Sequence, residues 1–248
     1  MFPVFFRLGG VTVSAYGVML VAAFALCTLG FVRAGGKSGL AQGKLLDLAL
    51  WVMVVALAAS RLLYVLLALP AYRADLLSLF NLRLGGFSFF GALAAGTAAG
   101  LWYAGRHGLP PGKILDLAVP FLALGYALVR VGCFLNGCCF GLPSELPWAL
   151  PAAATDKIPR HPTQLYAAAA GLVLFLLLHL RRRRPGFSGR LFLEFILFYC
   201  GLRFVIEYFR ETDDFWGVLT LAQGAALAGA AAALAAIMLV PRLMGRRR

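Results

Sequence analysis

The sequence predicts an all-α, polytopic integral membrane protein with seven transmembrane helices. Of its 248 residues 62% are hydrophobic and only 13% are charged, and the mean hydropathy is +0.85. A soluble fold of this length has too little interior to bury so much apolar surface. Apolar runs of about 20 residues, the length that crosses a bilayer as a helix, recur along the chain. They cover residues 14–34, 45–69, 86–105, 114–132, 164–180, 190–209 and 218–240.

The first run is expected to remain as a span, because no cationic start precedes it and no A-x-A-like cleavage site follows it. Ahead of it, the segment FPVFFRLGGVTV carries alternating and aromatic apolar residues around one Arg. This is typical of a segment that lies in the membrane interface. No repeat or composition shift marks a boundary, so we expect residues 1–248 to form one membrane domain. The longest joint, about residues 133–163, is rich in Pro and is expected to form an arm outside the membrane.

The net charge of +13 indicates topology rather than nucleic-acid binding. Fourteen basic residues fall in the joints on one side of the spans and six on the other. The positive-inside rule makes the richer side the cytoplasm. We therefore expect the amino terminus outside and the carboxyl terminus in the cytoplasm, with the RRRR and terminal GRRR runs contacting anionic lipid.

Three arginines, Arg61, Arg130 and Arg203, fall inside or at the edge of predicted spans. An ionised side chain there commonly costs about 2.5 to 3.5 kcal/mol on insertion scales. Such a residue either serves a function or is a structural tether, paired with a carboxylate such as Asp47 or Asp116 or extended to the surface. For Arg61 both interpretations stay open.

Arg203 lies in the segment YCGLRFVIEYFRE together with further polar residues. Tyr199, Arg203, Glu207 and Arg210 are spaced by four, four and three residues, so a continuous helix would place them on one face. One Glu between two Args leaves a net positive site, which favours an anionic ligand such as phosphate over a purely structural triad.

A second group of polar residues is predicted at the same, outer membrane depth. The run that contains Arg130 ends on that side, and RVGCFLNGCCFG follows it directly. Guanidinium groups from two separate elements would thus meet in one outer-leaflet pocket. The joint that follows carries Arg160, His161, Thr163, Gln164 and Tyr166 just before the fifth run.

Three cysteines in this segment, Cys133, Cys138 and Cys139, have the spacing C-x-x-x-x-C-C. This is not a standard zinc or iron-sulfur spacing, and no second pair of Cys or His in the sequence nearby completes four ligands. A disulfide is permitted on the outer side of the membrane. We expect buried, unreactive thiols here, and packing roles for Cys27 and Cys200 within spans.

Several segments, in this order, closely resemble those of the prolipoprotein diacylglyceryl transferase family. They are SAYG, SRLLYVL, DLAVPFLALG, RVGCFLNGCCFGLPS, RHPTQLY, RFVIEYFRETD and LTLAQG, spread from about residue 1 to about residue 240. The resemblance implies a multi-pass enzyme of the bacterial inner (cytoplasmic) membrane, with an active site open to the periplasmic leaflet. Its substrates would be phosphatidylglycerol and the lipobox-containing signal peptides of prolipoproteins, and it needs no metal or organic cofactor. We expect a monomer among membrane lipids, with no nucleic-acid partner.

The implied reaction transfers the diacylglyceryl group from phosphatidylglycerol to the lipobox cysteine thiol, which forms a thioether and releases glycerol phosphate. Arginines at headgroup depth suit this chemistry, because they stabilise both the thiolate and the departing phosphate. By motif, the residues matched to catalysis are Arg130, Arg203, Glu207 and His161. Those matched to substrate binding are Tyr16, Arg61, Asn136, Gln164, Tyr166 and Arg210.

The segment LGGFSFFGALAAG departs from the family pattern GG-x-S-F-H-GG-L, because Phe90 occupies the position of the histidine. The resemblance implies that this histidine is the base that deprotonates the substrate thiol. Phenylalanine accepts no proton. Proton transfer would then fall to Glu207, to His161, to a cysteine thiol, or to water beside the arginines. Two functions follow as hypotheses: an active transferase, or a catalytically silent paralogue that binds phospholipid or the lipobox peptide.

Overall fold

The described part of the chain contains seven helices, and each corresponds to one of the predicted apolar runs. The structure is a computed structural model that describes residues 4–9, 11–69, 86–151, 157–183, 186–211, 215–216 and 218–245. In chain order the helices are α1 (Ala15–Lys37), α2 (Gln42–Leu67), α3 (Phe89–Arg106), α4 (Pro111–Asn136), α5 (Thr163–Arg181), α6 (Arg190–Glu207) and α7 (Leu221–Gly245).

Three short antiparallel hairpins are present among these residues in addition to the helices. They pair β1 (Val4–Leu8) with β2 (Val11–Ser14), β3 (Leu150–Pro151) with β4 (Pro159–Arg160), and β5 (Phe215–Trp216) with β6 (Leu219–Thr220). The first hairpin explains the alternation seen ahead of the first run, because successive residues of a strand point to opposite faces. The arm at about 133–163 contains the second hairpin, and residues 152–156 of it lie outside the described residues.

Five of the helices are long and apolar enough to cross a membrane by length and composition: α1, α2, α4, α5 and residues 221–242 of α7. The other two, α3 and α6, have 18 residues each, or about 27 Å at 1.5 Å per residue. Helix α6 also carries four charged residues, which lower its mean hydropathy: Arg190, Glu194, Arg203 and Glu207. The fold is thus that of a helical, multi-pass membrane protein.

The chain divides into two compact units, Val32–Pro111 and the combination of Met1–Phe31 with Gly112–Arg248. In the smaller unit α2 packs closely on α3. A Cβ built on Gly91 would lie 2.7 Å from the Ala59 carbonyl oxygen and 2.9 Å from Leu63 Cβ. Small residues allow such close approach between helices in a membrane, where apolar burial gives no driving force.

In the larger unit α4, α5 and α6 share an apolar core of Val119, Ala123, Leu174, Leu178 and Leu191. Contact between helices is again close, since a Cβ on Gly171 of α5 would lie 2.9 Å from Tyr126 Cδ1 and 3.2 Å from Ala127 Cβ of α4. This packing fixes the relative position of the helices whose ends carry the polar site.

Two carboxylates, the half-buried Asp116 and the buried Glu194, bind polar groups at one end of this unit. Asp116 accepts hydrogen bonds from the backbone amides of Gly189 (2.8 Å) and Phe192 (3.0 Å), and so satisfies the first turn of α6. Glu194 pairs with Arg181 at 2.8 Å and with Arg190 at 3.0 Å. The hydrogen bonds of Asp116 are therefore those of a helix cap.

Candidate active site

Most residues of the predicted site lie at the opposite end of the larger unit. Backbone hydrogen bonds join the segment after α4 to the segments before α5 and after α6. Leu142 N donates to Phe209 O (2.9 Å), Gly141 N to His161 O (3.0 Å), and His161 N to Leu142 O (3.0 Å). Three stretches far apart in sequence are thus held in fixed register.

Three predicted arginines, Arg130, Arg203 and Arg210, line one open cavity of about 210 Å³ at this end. They come from α4, from the last turns of α6 and from the turn after α6. The two expected groups of guanidiniums therefore meet, although Arg210 lies beyond the helix and forms a β-bridge with Gly141. The other lining residues are Tyr126, Cys139, Thr163, Ala167 and Ile206.

Glu207 pairs with two of these guanidiniums and is not itself among the residues that line the cavity. Its carboxylate is 4% exposed, accepts a short hydrogen bond from Arg203 Nη1, and lies 3.8 Å from Arg210 Nε. A buried carboxylate without partners would be costly, and these two arginines compensate its charge. One negative charge among three positive ones leaves the cavity positive.

Two further polar residues support Glu207 and were not assigned to the site from the sequence. The Thr220 hydroxyl lies 3.4 Å from Glu207 Oε1. Gln223 Oε1 accepts from Thr220 N at 3.0 Å, and the Thr220 hydroxyl accepts from Gln223 N at 3.1 Å. This reciprocal cap fixes the start of α7 against the carboxylate. The segment LTLAQG, which contains both residues, was the signal for them.

Aromatic rings orient Arg130. Its guanidinium lies over the Tyr126 ring, one helical turn earlier, at 5.0 Å from the ring centroid. The Tyr126 ring packs edge-on against Tyr199 of α6 with centroids 5.4 Å apart. A planar guanidinium stacked on a ring keeps its N–H groups directed to the side, where an anion binds.

The loop after α4 is tied down by the first residues of α5. The Thr163 hydroxyl donates to Cys139 O (2.8 Å) and the Gln164 amide donates to Cys138 O (2.7 Å). Both side chains are buried, with Thr163 and Gln164 2% and 1% exposed. Gln164 Oε1 is buried with no hydrogen-bond partner among the described residues.

The same loop brings three thiols together. The Sγ atoms of Cys133, Cys138 and Cys139 all lie within 4.8 Å of one another, and no disulfide joins them. A hydrogen bond from the Cys133 thiol and the positive field of Arg130 and Arg210 hold the pKa of the Cys139 thiol down, to about 5. Burial raises the pKa of the Cys138 thiol.

Several aromatic side chains contact one another beside the cavity. His161 Nδ1 lies 3.3 Å from the Tyr166 hydroxyl, which accepts a hydrogen bond from Trp148 Nε1 at 2.8 Å. The His161 and Phe209 ring centroids are 5.1 Å apart. His161 and Tyr166 are therefore engaged with each other and are not among the residues that line the cavity.

The remaining predicted residues lie at three other places. Tyr16, in α1, packs next to Gly132, where a Cβ would lie 3.4 Å from its ring. Asn136 is the exposed last residue of α4 and hydrogen-bonds the Cys138 thiol. Arg61 and Phe90 belong to the smaller unit, in which Arg61 Nη1 donates to Gly86 O at 3.1 Å and Phe90 is 74% exposed.

A family model and several related proteins that are similar to this chain carry the same family name. The family model described as prolipoprotein diacylglyceryl transferase matches residues 3–240. A phosphatidylglycerol–prolipoprotein diacylglyceryl transferase of Geobacter sulfurreducens is 36% identical over 221 residues, 88% of this chain and 85% of the relative. Proteins of the same name from Bordetella parapertussis and Vibrio vulnificus are 36% and 33% identical over 88% and 89% of this chain, covering 85% and 84% of their own lengths. The resemblance of the motifs is thereby confirmed, and the chain belongs to the prolipoprotein diacylglyceryl transferase family.

Proposed function

We propose that this protein is a phosphatidylglycerol:prolipoprotein diacylglyceryl transferase. It transfers the diacylglyceryl group from phosphatidylglycerol to the thiol of a lipobox cysteine and releases glycerol phosphate. The observation that carries the proposal is the cavity lined by Arg130, Arg203 and Arg210, with Glu207 compensating only one of the three charges. Family membership and the names of the relatives support the same reaction.

The cavity suits a phosphorylated headgroup. It is open to the surroundings and lined by Arg130, Arg203 and Arg210, so a headgroup could enter it while the acyl chains of a phospholipid remain in the membrane. Guanidiniums bind phosphate oxygens through paired N–H donors, and three of them come from separate parts of the chain.

The arginines act mainly on the leaving group. As the substrate sulfur bonds to the glyceryl carbon, the bond from that carbon to the phosphate oxygen breaks and negative charge grows on the phosphate. Donors already held at that place stabilise the charge without reorganisation, an effect worth about 10²- to 10³-fold for one donor. Glu207 keeps two of these donors in position, and Tyr126 keeps the third.

The other matched residues have supporting roles in the proposal. Gln164 acts through the loop carbonyl that it holds, and Asn136 lies at the edge of that loop beside a thiol. Tyr166 and His161 form the aromatic group next to the cavity, where an extended lipobox segment would pass. Tyr16 and Arg61 remain proposed substrate contacts on motif grounds alone.

We place the site at the periplasmic leaflet of the bacterial inner membrane. All seven helices span the membrane in this proposal, with the amino terminus periplasmic and the carboxyl terminus cytoplasmic. The asymmetry of the basic residues supports this orientation. The short helices α3 and α6 would cross with their charged ends at the headgroup layers.

The test is an assay with the purified full-length chain, phosphatidylglycerol in mixed micelles and a lipobox peptide, in which release of glycerol phosphate is followed. We expect release by the native chain, none above background by Arg130→Ala, and native release by the control Arg106→Ala, which changes an exposed arginine of the smaller unit. Binding of phosphatidylglycerol or peptide without any release would establish the silent paralogue instead.

A further inference from the structure

Cys139 differs from the other two thiols of the loop after α4. It is exposed and lines the cavity together with Arg130 and Arg210, whereas Cys133 is buried and Cys138 is half-buried. The expectation of a buried thiol is therefore confirmed for Cys133 and wrong for Cys139. Of the three cysteines, Cys139 is the one most accessible to a reagent from solution.

The surroundings of Cys139 favour its ionised form. A hydrogen bond from the Cys133 thiol and the positive field of Arg130 and Arg210 hold the pKa of the Cys139 thiol down, to about 5. At neutral pH Cys139 is therefore a thiolate, which is the form of cysteine that attacks disulfides. Accessible thiolates of low pKa beside a second cysteine are typical of sites of reversible oxidation.

A second cysteine lies close enough to form a disulfide with Cys139. The Sγ atoms of Cys133, Cys138 and Cys139 all lie within 4.8 Å of one another, and Cys133 hydrogen-bonds Cys139. To form a bond of about 2.05 Å, two of these sulfurs must approach by less than about 3 Å, which side-chain rotation supplies. A bond between the sequence neighbours Cys138 and Cys139 would close a small ring around a peptide bond, which prefers the trans form. Cys133 is therefore the favoured partner of Cys139.

The backbone that carries Cys139 is strongly constrained. Its φ angle is 63°, a region that non-glycine residues adopt only where surrounding contacts enforce it. These contacts are the hydrogen bonds from Thr163 to the Cys139 carbonyl and from Gln164 to the Cys138 carbonyl. The constrained loop thus keeps Cys139 at the cavity and close to Cys133 at the same time.

The Cys139 thiolate competes with a phosphate for the positive charge of the cavity. Three guanidiniums, those of Arg130, Arg203 and Arg210, line the cavity, and the Glu207 carboxylate compensates one of them. The thiolate compensates a second one. A disulfide carries no charge, so its formation would free this guanidinium charge for an anionic ligand.

We propose that Cys139 is an oxidation site that reacts with a small-molecule disulfide and then forms an internal disulfide with Cys133. The internal disulfide strengthens binding of the substrate phosphate, because it removes the thiolate from beside the arginines. This effect on the substrate rests on the proposed transferase function. The proposed periplasmic location supports the oxidation, since disulfides form and persist in that compartment.

Two exchange steps form the internal disulfide. The Cys139 thiolate attacks one sulfur of the reagent disulfide, and the other sulfur leaves as a thiolate. The Cys133 thiol then passes its proton to this released thiolate, and its sulfur attacks Cys139 Sγ. The second reagent sulfur leaves and takes a proton from water. The two cysteines lose two electrons, and the reagent disulfide is reduced to two thiols.

The first test locates the bond in the full-length chain, purified in detergent, reduced and then treated with oxidised glutathione. Mass spectrometry of the alkylated peptides should find a disulfide between Cys133 and Cys139. Cys133→Ser should stop at a mixed disulfide of glutathione with Cys139, and Cys139→Ser should give neither product. The matched controls Cys27→Ser and Cys200→Ser, which change cysteines elsewhere in the helices, should form the bond as the native chain does. An unmodified Cys139, or a bond from Cys139 to any other cysteine, would overturn the inference.

The second test measures the effect on the substrate through glycerol phosphate release. The oxidised native chain should have a KM for phosphatidylglycerol about two- to fivefold lower than the reduced chain, the change expected when one partly exposed charge is removed. Cys139→Ser has no thiolate at this position, so its KM should be low and should not respond to oxidised glutathione. A KM of the native chain that stays the same or rises on oxidation contradicts the charge effect and overturns the inference.

The two measurements separate failure of this inference from failure of the proposed function, because disulfide mapping does not depend on turnover. A chain that releases glycerol phosphate but does not form the bond between Cys133 and Cys139 overturns the oxidation site and leaves the transferase intact. A chain that forms the bond but releases no glycerol phosphate in either state overturns the proposed function, and with it the effect of the disulfide on the substrate.

Discussion

Replacing Arg203 separates its two proposed roles, the ion pair with Glu207 and the contact with the substrate phosphate. In Arg203→Ala the Glu207 carboxylate, 4% exposed, keeps Arg210 Nε at 3.8 Å as its ion-pair partner among the described residues. Removing one member of a buried pair costs about 3 to 5 kcal/mol of folding free energy. Because Arg210 offsets part of the loss, we expect a destabilisation of about 3 kcal/mol, at the low end of that range.

A second substitution removes this structural effect. Glu207→Gln eliminates the negative charge but keeps an oxygen for the Thr220 hydroxyl. The double variant Arg203→Ala/Glu207→Gln should therefore recover most of the thermal stability that Arg203→Ala loses. Turnover should not recover, because the phosphate contact is still missing. We expect kcat/KM of Glu207→Gln to exceed that of the double variant by about 10²- to 10³-fold.

The assay is glycerol phosphate release from mixed micelles with a lipobox peptide, run as single turnovers at high enzyme concentration so that slow variants give a measurable rate. Thermal unfolding in the same detergent reports stability. A double variant with the same kcat/KM as Glu207→Gln would show that Arg203 only neutralises Glu207. Arg203 would then have no part in binding the phosphate.

Three other substitutions test separate parts of the structure. Arg130→Lys should lower kcat/KM at least about tenfold in the same release assay, because an ammonium group lacks the paired donors and the stacking on Tyr126. Gly171→Ala should lower the thermal unfolding midpoint, because its Cβ would lie 2.9 Å from Tyr126, whereas the control Gly201→Ala meets no atom within 4 Å and should not. Asp116→Ala should cost about 1 to 2 kcal/mol through the lost cap of α6 and leave turnover unchanged, since it lies at the other end of the unit. An unchanged midpoint in Gly171→Ala or in Asp116→Ala would contradict the packing or capping assigned to that residue.

The helices were predictable because membrane insertion depends on local composition. Each apolar run corresponds to one described helix, and Arg130 and Arg203, which interrupt the apolar pattern, line the cavity. The exact ends were less predictable. Helix α6 ends at Glu207, so Arg210 is positioned by its bridge to Gly141 rather than by helical spacing.

Motif order indicated the site, but not the partners of each residue. Glu207 was predicted between two arginines, and those ion pairs are present. Its contact with Thr220 joins the last residue of α6 to the residue just before α7, which no periodicity within one helix reveals. His161 was a candidate for proton transfer, and its neighbours in space, Tyr166 and Phe209, were not predictable from the motif order.

The sequence by itself determined that the chain is a multi-pass helical membrane protein of a known family, because hydropathy and motif order are properties of the chain. Only the tertiary structure shows that the three cysteines Cys133, Cys138 and Cys139 come together. Their spacing matches no linear metal motif. The thiols meet because the chain turns at Gly137 and Cys139 and because Gln164, 26 residues beyond Cys138, holds the loop in place. Such proximity arises from hydrogen bonds between distant segments, which short-range patterns do not encode.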